Sequence, residues 1–197
     1  MVRRFQVRAA FVALMLSGCA TTPPAPVVVE PEIVRPVVVV ERAQVELVAT
    51  LDLLKAGNLR QAEVNLEEII KARGDIAEAH FNLGWVRHGL GKYVQAIGHF
   101  EDGLRLRPGD AQALNQMALS QREAGRFKEA EGTWRQAIAL HPANDRMNLN
   151  LGILYEIYLG QPAQALAQYR AYQAKQKATD PKVAAWIALL ERQGGKP

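Results

Sequence analysis

The stretch at residues 77–110, AEAHFNLGWVRHGLGKYVQAIGHFEDGLRLRPGD, decides the fold of this chain. Its small and bulky apolar residues fall on two segments that Gly91 separates. Glycine readily takes the positive φ at which helices end, and Pro108 stops a helix because its ring excludes a helical hydrogen bond. The stretch therefore predicts two antiparallel helices with a tight turn at Gly91. Gly84 on the first helix and Ala96 on the second let the two backbones approach closely.

The same arrangement recurs along the chain with a period of 34 residues, which widens once to 35. Several series of positions follow this period, and each series keeps one kind of residue. They are turn glycines (Gly57, Gly91, Gly125, Gly160), alanines (Ala62, Ala96, Ala130, Ala165), bulky residues (Leu66, Phe100, Trp134, Tyr169), small residues (Thr50, Gly84, Ala118, Gly152) and prolines (Pro108, Pro142). Independent series that share one period indicate a repeat protein.

A 34-residue period with this order of small and bulky positions resembles the tetratricopeptide repeat, over about residues 43–177. The resemblance implies an all-α fold, a right-handed solenoid of about four helical hairpins in a domain at residues 42–177. The repeats are 43–76, 77–110, 111–144 and 145–177. A single hairpin cannot bury its own apolar face, so several must stack. We expect the bulky series to fill the space between neighbouring hairpins.

The first and fourth copies depart from the pattern. The first has Glu46, Thr50 and Leu59 where the family prefers glycine and aromatic residues, so it is the least regular copy. The fourth has one extra residue near residues 158–160, and Pro162 replaces an aromatic residue. We therefore expect an altered turn between the two helices of the fourth hairpin.

Residues 178–197 predict a capping helix and a short tail. Asp180 can accept hydrogen bonds at the start of a helix whose first residue is Pro181. One face of this helix is apolar at helical spacing and is expected to cover the end of the last repeat. The residues of that face are Val183, Trp186, Ile187 and Leu190. We interpret Trp186 as part of the core, and a binding role is the alternative.

Residues 1–18 have the organisation of a secretory signal peptide. Arg3, Arg4 and Arg8 make the start positive, and an apolar run follows at residues 9–16. The run is too short to span a bilayer, which takes about 20 residues. We therefore predict that this segment is removed.

Residues 16–19, Leu-Ser-Gly-Cys, resemble the lipobox of bacterial lipoproteins. The resemblance implies that the Cys19 thiol becomes lipidated with a diacylglyceryl group and that Cys19 becomes the first residue. Several acyl chains anchor a protein firmly, whereas one holds it only marginally. Ala20 follows the cysteine instead of Asp, which under enteric-type sorting favours the outer membrane, facing the periplasm. The alternative is an ordinary secretory peptide with an incidental cysteine.

The segment at residues 19–41, after the lipidated cysteine, is rich in proline and valine. Proline at this density disfavours helix and favours an extended polyproline spacer. The valine runs at residues 27–29 and 37–40 can alternatively form a short strand that pairs with the edge of a partner sheet. Residues 37–40 can also lead into the first helix. We prefer an extended tether without a partner.

The formal charge of +4 does not indicate a nucleic-acid partner. Without the three arginines of the signal peptide, 21 basic residues face 20 acidic ones. No lysine and arginine cluster remains that would displace counterions from a phosphate backbone. Cys19 is the only cysteine, which excludes an intramolecular disulfide and a four-thiolate metal site.

The sequence contains no pattern typical of an enzyme. No serine or cysteine nucleophile has an evident base, and there is no glycine-rich phosphate loop. The histidines lack a metal-ligand arrangement such as His-Glu-x-x-His, and Glu67-Glu68 and Glu101-Asp102 are interpreted as solvated charge. We expect no catalytic activity, no cofactor, no metal site and no small-molecule substrate. The histidines are His80, His88, His99 and His141.

The resemblance implies a concave groove, lined by the first helix of each repeat, which binds a protein or peptide partner. An apolar patch rimmed by polar side chains suits an extended or helical peptide. Asn82 and Asn150 occupy the place at which the family often binds a peptide backbone, or they are scaffold residues. Phe81 and Trp85 alternatively pack against the preceding repeat. The candidate groove residues are Phe81, Asn82, Trp85, His88, Asn115, Leu119, Arg122, Arg146, Leu149, Asn150, Ile153 and Glu156.

These features together indicate an envelope adaptor that helps to assemble or steady a multi-protein complex. Residues 148–192 resemble the end of small repeat lipoproteins associated with TonB/ExbB-type energy-transducing systems. The alternative is a pilotin-like assembly factor for a type IV pilus or a secretin. A third reading, less favoured, is an accessory subunit of an enzyme.

Overall fold

The computed structural model describes residues 36–194, which form a series of helices, with side chains from residue 44 onward. The signal peptide, Cys19 and most of the predicted tether lie outside the described residues. The helices are α1 (Pro36–Lys55), α2 (Leu59–Ala72), α3 (Ala77–Gly89), α4 (Tyr93–Leu106), α5 (Ala111–Glu123), α6 (Phe127–Leu140), α7 (Asp145–Ile153), α8 (Pro162–Gln173) and α9 (Pro181–Gly194). A π-helical segment, Leu154–Tyr158, continues α7.

The helices pack in chain order as four hairpins and a final helix, each against the next. The predicted all-α solenoid of stacked hairpins is confirmed. The glycines between the two helices of each hairpin have positive φ, between 62° at Gly160 and 76° at Gly57. Within the described residues, no helix is long and apolar enough to cross a membrane.

Each bulky residue of the repeat lies against its own hairpin. A Cβ on Gly84 would lie 3.0 Å from the Phe100 ring, and one on Gly152 would lie 2.5 Å from the Tyr169 ring. We expect the bulky residues to fill the space between neighbouring hairpins, and the structure adds a contact within the hairpin. The rings of Phe100 and Tyr169 fill the gap that the small residue leaves between the two helices of their hairpins. Phe100, Trp134 and Tyr169 are all fully buried.

Helix α1 begins earlier than the sequence predicts. The tether was expected to extend to residue 41, but the helix starts at Pro36. Proline is tolerated at the first position of a helix because its missing N–H would have no helical partner there. The next proline is Pro108, so nothing interrupts the helix after it starts.

The fourth hairpin is altered next to its turn, as we predict, but the extra residue widens the last helical turn at residues 154–158 and does not lengthen the link after it. The backbone N–H of Leu159 donates to Leu154 O at 3.1 Å, a π-helical bond. Gly152 must stay against Tyr169, and Gly160 must stay at the turn with its φ of 62°. Since both ends are fixed, one widened turn between them absorbs the residue.

The last helix caps the solenoid as predicted. The backbone N–H of Lys182 donates to Asp180 Oδ1 at 2.9 Å, and Val183 and Leu190 are buried in the core of the last three hairpins. Trp186 is half-buried there, and its ring centroid lies 5.4 Å from that of Tyr169. A polar hydrogen-bond acceptor therefore starts a helix whose apolar face closes the stack.

We predict that Gly152→Ala lowers the free energy of unfolding by about 1–3 kcal/mol, because the new methyl group collides with the fixed Tyr169 ring. The matched control is Gly132→Ala, on α6, where a Cβ would meet nothing within 4 Å. That substitution should stabilise the protein by about 0.5–1 kcal/mol through helix propensity alone. Urea denaturation of the two variants measures both effects. Equal stabilisation by both substitutions would refute the close-approach argument.

Candidate functional site

A recess of about 500 Å³ lies where α1, α3 and α5, the first helices of successive hairpins, come side by side. Its size is within the range of ligand-binding pockets. Its apolar wall consists of Leu51, Leu54, Phe81, Trp85, Phe100 and Ala113. Its polar rim consists of Lys55, Glu78, Asn82, Arg107, Asp110, Gln112 and Gln116. We call this recess the groove.

Trp85 is the most exposed aromatic side chain of the groove, with 42% of its surface accessible. Leu51, on α1, is 37% exposed in the same wall, and Leu54 lies beside it. Trp85 therefore faces the preceding repeat, as one interpretation of the sequence held, yet it retains a large accessible surface. Adjacent exposed apolar side chains with a polar rim are typical of binding surfaces.

Phe81 forms a fixed part of the groove wall. Its ring packs against Gly103 of α4, where a side chain would collide with it. The guanidinium of Arg107 lies 5.5 Å from the ring centroid, and Arg107 also pairs with Glu78 and, at 3.6 Å, with Asp110. A ring held from both sides needs no rearrangement before a ligand binds, which lowers the entropic cost of binding.

Asn82 presents a free amide to the groove. Within residues 44–194 no hydrogen bond engages its side chain, which lines the groove between Phe81 and Trp85. An amide offers both donors and an acceptor, the groups that match a peptide backbone. Gln116 occupies the equivalent position one repeat later and lines the same groove.

Asn115 and Asn150 have a scaffold role in the structure. Asn115 Oδ1 accepts hydrogen bonds from the indole N–H of Trp134 at 3.0 Å and from Asn150 Nδ2 at 2.9 Å. Trp134 is completely buried, so this bond satisfies a donor that water cannot reach. The two asparagines thereby join the third and fourth hairpins, and neither lines the groove.

The predicted residues at the end of each first helix also lie outside the groove. His88 bonds Ser120 Oγ at 2.9 Å, and burial lowers the pKa of its imidazole. Arg122 pairs with Glu123 at 2.6 Å and lies 5.5 Å from the ring centroid of Tyr158. Glu156 accepts a hydrogen bond from the Tyr169 hydroxyl at 2.7 Å. These three side chains hold neighbouring elements together.

The remaining candidates belong to the third and fourth hairpins. Leu119, Leu149 and Ile153 are half-buried against the core, and Arg146 is exposed outside the groove. Of the candidates, the groove therefore brings together only Phe81, Asn82 and Trp85. Its other lining residues were missed. The 34-residue period could have identified Gln116 from Asn82 and Leu51 from Trp85, but no local signal places Arg107 at the same surface.

A second polar cluster brings together His80 of α3 and His99 and Asp102 of α4. One potential ligand atom from each of the three lies within 4.8 Å of those of the other two. His80 and His88 share one helix in the sequence pattern, but no local signal indicates this grouping with α4. Asp102 is therefore not the simple solvated charge that we expected, and neither is Glu67, which pairs with Arg87.

Comparisons with known proteins support the fold. A family profile described as "Tetratricopeptide repeat" matches residues 49–111 and 115–181. No curated protein sequence matches the chain.

Several solved structures are similar. The structure of pilF from Pseudomonas aeruginosa is 25% identical, with a TM-score of 0.67, covering 79% of this chain and 70% of that one. MamA from Desulfovibrio magneticus RS-1 is 19% identical, with a TM-score of 0.69, covering 77% and 85%. YrrB, described as a TPR protein with an unusual peptide-binding site, is 16% identical, with a TM-score of 0.63, covering 76% of each chain.

We predict that Asn115→Ala lowers the free energy of unfolding by about 1–3 kcal/mol, since it leaves the buried indole N–H of Trp134 without an acceptor. Asn82→Ala, the matched control on α3, should change stability by less than about 0.5 kcal/mol because its amide has no partner to lose. Urea denaturation of the two variants measures both changes in the free energy of unfolding. It thereby distinguishes an asparagine that supports the fold from one that is free in the groove. A larger loss for Asn82→Ala would reverse the two assignments.

Proposed function

The chain belongs to the tetratricopeptide repeat family, and on that premise we propose that it is a lipid-anchored adaptor of the bacterial cell envelope. The family's fold is typical of proteins that bind other proteins. The observation that carries the proposal is the free Asn82 amide beside the half-exposed Trp85 indole in a preformed recess. The proposal assigns no catalytic step to this surface.

The groove can recognise a peptide through two kinds of contact. Trp85, Leu51 and Leu54 offer an apolar surface for one or two apolar side chains of the partner. Asn82 and Gln116 lie along the same surface and can bond backbone amides of an extended or helical segment. Lys55 and Glu78 at the rim supply charges of both signs, so no strongly acidic or basic peptide is favoured.

The anchor is the part of the proposal that rests on sequence alone. Cys19 follows a lipobox-like Leu-Ser-Gly, and the segment before it is organised as a signal peptide. Lipidation at Cys19 would tether the repeats to a membrane, and Ala20 favours the outer membrane facing the periplasm. A complex of the TonB/ExbB type is the partner that the resemblance of residues 148–192 favours. A pilotin-like role is the second candidate.

We predict that Trp85→Ala abolishes the recovery of the partner in a crosslinking pull-down from intact membranes. Removing a central aromatic side chain from an interface costs about 2 kcal/mol or more, which is a loss of affinity of at least about tenfold. Asn82→Ala should weaken recovery as well. The identity of the recovered complex separates an energy-transducing partner from a secretin or pilus partner.

Two controls keep this experiment specific. Leu140→Ala removes an apolar side chain that is 52% exposed on α6, and Arg122→Ala removes a charge outside the groove. Both should retain the partner, and circular dichroism should find unchanged helicity in every variant. Recovery that survives Trp85→Ala would move the binding surface away from the groove.

We predict that the full chain, expressed in a Gram-negative host, incorporates labelled palmitate and is found in the membrane fraction. Cys19→Ser should abolish both the label and the membrane association, because the thiol is the atom that is acylated. Fractionation of inner and outer membranes then tests the sorting expectation. If the wild-type chain is secreted without the label, the segment is an ordinary signal peptide and Cys19 is an incidental cysteine.

A further inference from the structure

The cluster of His80, His99 and Asp102 lies between α3 and α4, apart from the groove lining. His99 and Asp102 are three residues apart and share one face of α4, and His80 faces them from α3. The His80 side chain is only 8% exposed, and its Nδ1 lies 3.9 Å from Asp102 Oδ2. The cluster therefore joins the two helices of the second hairpin through polar groups.

The hydrogen bonds of His80 identify its free nitrogen. Nε2 lies 3.0 Å from the backbone oxygen of Gly74, which can only accept, so Nε2 carries the proton. In the neutral form of the ring, Nδ1 then holds a lone pair, and this buried atom has no hydrogen-bond partner among the described residues. A ligating histidine in metalloproteins commonly donates its other N–H to a backbone carbonyl in this manner.

His99 offers a second buried nitrogen. Its Nδ1 likewise has no partner among the described residues. Its Nε2 faces the Arg87 guanidinium at 2.5 Å, and Arg87 is also held by Glu63 at 3.2 Å and by Glu67. Burial, with Arg87 as a smaller cause, lowers the pKa of His99. If His99 Nδ1 binds a cation, the ring proton moves to Nε2. The Arg87 guanidinium then gives up its contact with Nε2 and pairs with Glu63 and Glu67.

We propose that His80, His99 and Asp102 bind a divalent transition-metal ion of the zinc class. Two imidazole nitrogens and one carboxylate oxygen match the preference of Zn²⁺, whereas Mg²⁺ and Ca²⁺ prefer oxygen ligands only. Three protein ligands leave a fourth position for water or for a side chain of a partner. Each histidine of the cluster has a buried Nδ1 without a partner among the described residues. These two nitrogens carry the inference, together with the approach of His80 Nδ1 to Asp102 and the grouping of one potential ligand atom from each residue within 4.8 Å.

A bound ion would fasten α3 to α4 and so stabilise the second hairpin, which also supplies Trp85 and Asn82 to the groove. Ligands that bind only the folded state stabilise it in proportion to the logarithm of their concentration over Kd. The metal site does not depend on the proposed adaptor function, since its residues and those of the groove wall are different.

The test titrates the full chain, purified without a polyhistidine tag, with Zn²⁺ by calorimetry and with Co²⁺ by visible absorption. The wild type is compared with His80→Gln and Asp102→Asn. His141→Gln is the matched control, because His141 Nε2 also contacts a backbone oxygen, that of Gly109 at 2.6 Å. Cys19 is the same in all variants, so differences between them do not arise from it.

The wild type and His141→Gln should bind one ion, give the absorption of four-coordinate Co²⁺, and gain about 5–10 °C in Tm at a hundredfold excess of Zn²⁺ over Kd. Each ligand variant should bind at least about tenfold more weakly. Asp102 is partly exposed, so Asp102→Asn keeps the fold even if His80→Gln does not.

Three results would overturn the proposal. They are no saturable binding by the wild type, binding by Asp102→Asn equal to that of the wild type, or an equal loss in His141→Gln. Any of these would assign the two histidine nitrogens to a buried water molecule that bridges them to Asp102, the usual solution for buried polar groups without protein partners.

Discussion

The structure depends on the close approach of the two helices within each hairpin. A small residue of the first helix lies against a bulky residue of the second, as Gly84 does with Phe100 and Gly152 with Tyr169. This contact sets both the distance between the helices and their axial register, so the turn glycines and the alanines must recur with it. The fourth hairpin demonstrates the strength of the constraint, since its extra residue widens a helical turn at residues 154–158 while Gly152 and Gly160 keep their places.

The same stacking determines where a partner can bind. The groove forms where α1, α3 and α5 lie side by side. In the later hairpins the position of Trp85 is taken by Leu119 and Ile153, which pack against the core. Equal positions in a repeat therefore do not have equal roles. Asn82 offers a free amide, whereas Asn150, at the equivalent position two repeats later, is bonded to Asn115. The proposed binding surface therefore lies in the amino-terminal half of the solenoid.

Polar groups between α2, α3 and α4 hold the second hairpin to the first. Hydrogen bonds from Lys92, more than those from Arg87, hold the pKa of the Glu63 carboxyl below its usual range even though burial opposes this. Lys92 Nζ lies 2.8 Å from both Glu63 oxygens. Burying charges is costly unless they are paired, and here the pairing is nearly complete. The buried Nδ1 atoms of His80 and His99 have no such partner among the described residues, and the proposed metal ion would supply one.

The sequence by itself determined the helical hairpins, their number and the capping helix, because a 34-residue period records a contact that every hairpin repeats. It also identified Phe81, Asn82 and Trp85 in the groove, since the repeat assigns them to the open face of a first helix. Only the tertiary structure decided that Asn115 bonds Trp134, that His99 meets His80, and that the extra residue enters α7. A period specifies which positions are equivalent, but the neighbours of a side chain depend on how helices from different parts of the chain are rotated against one another.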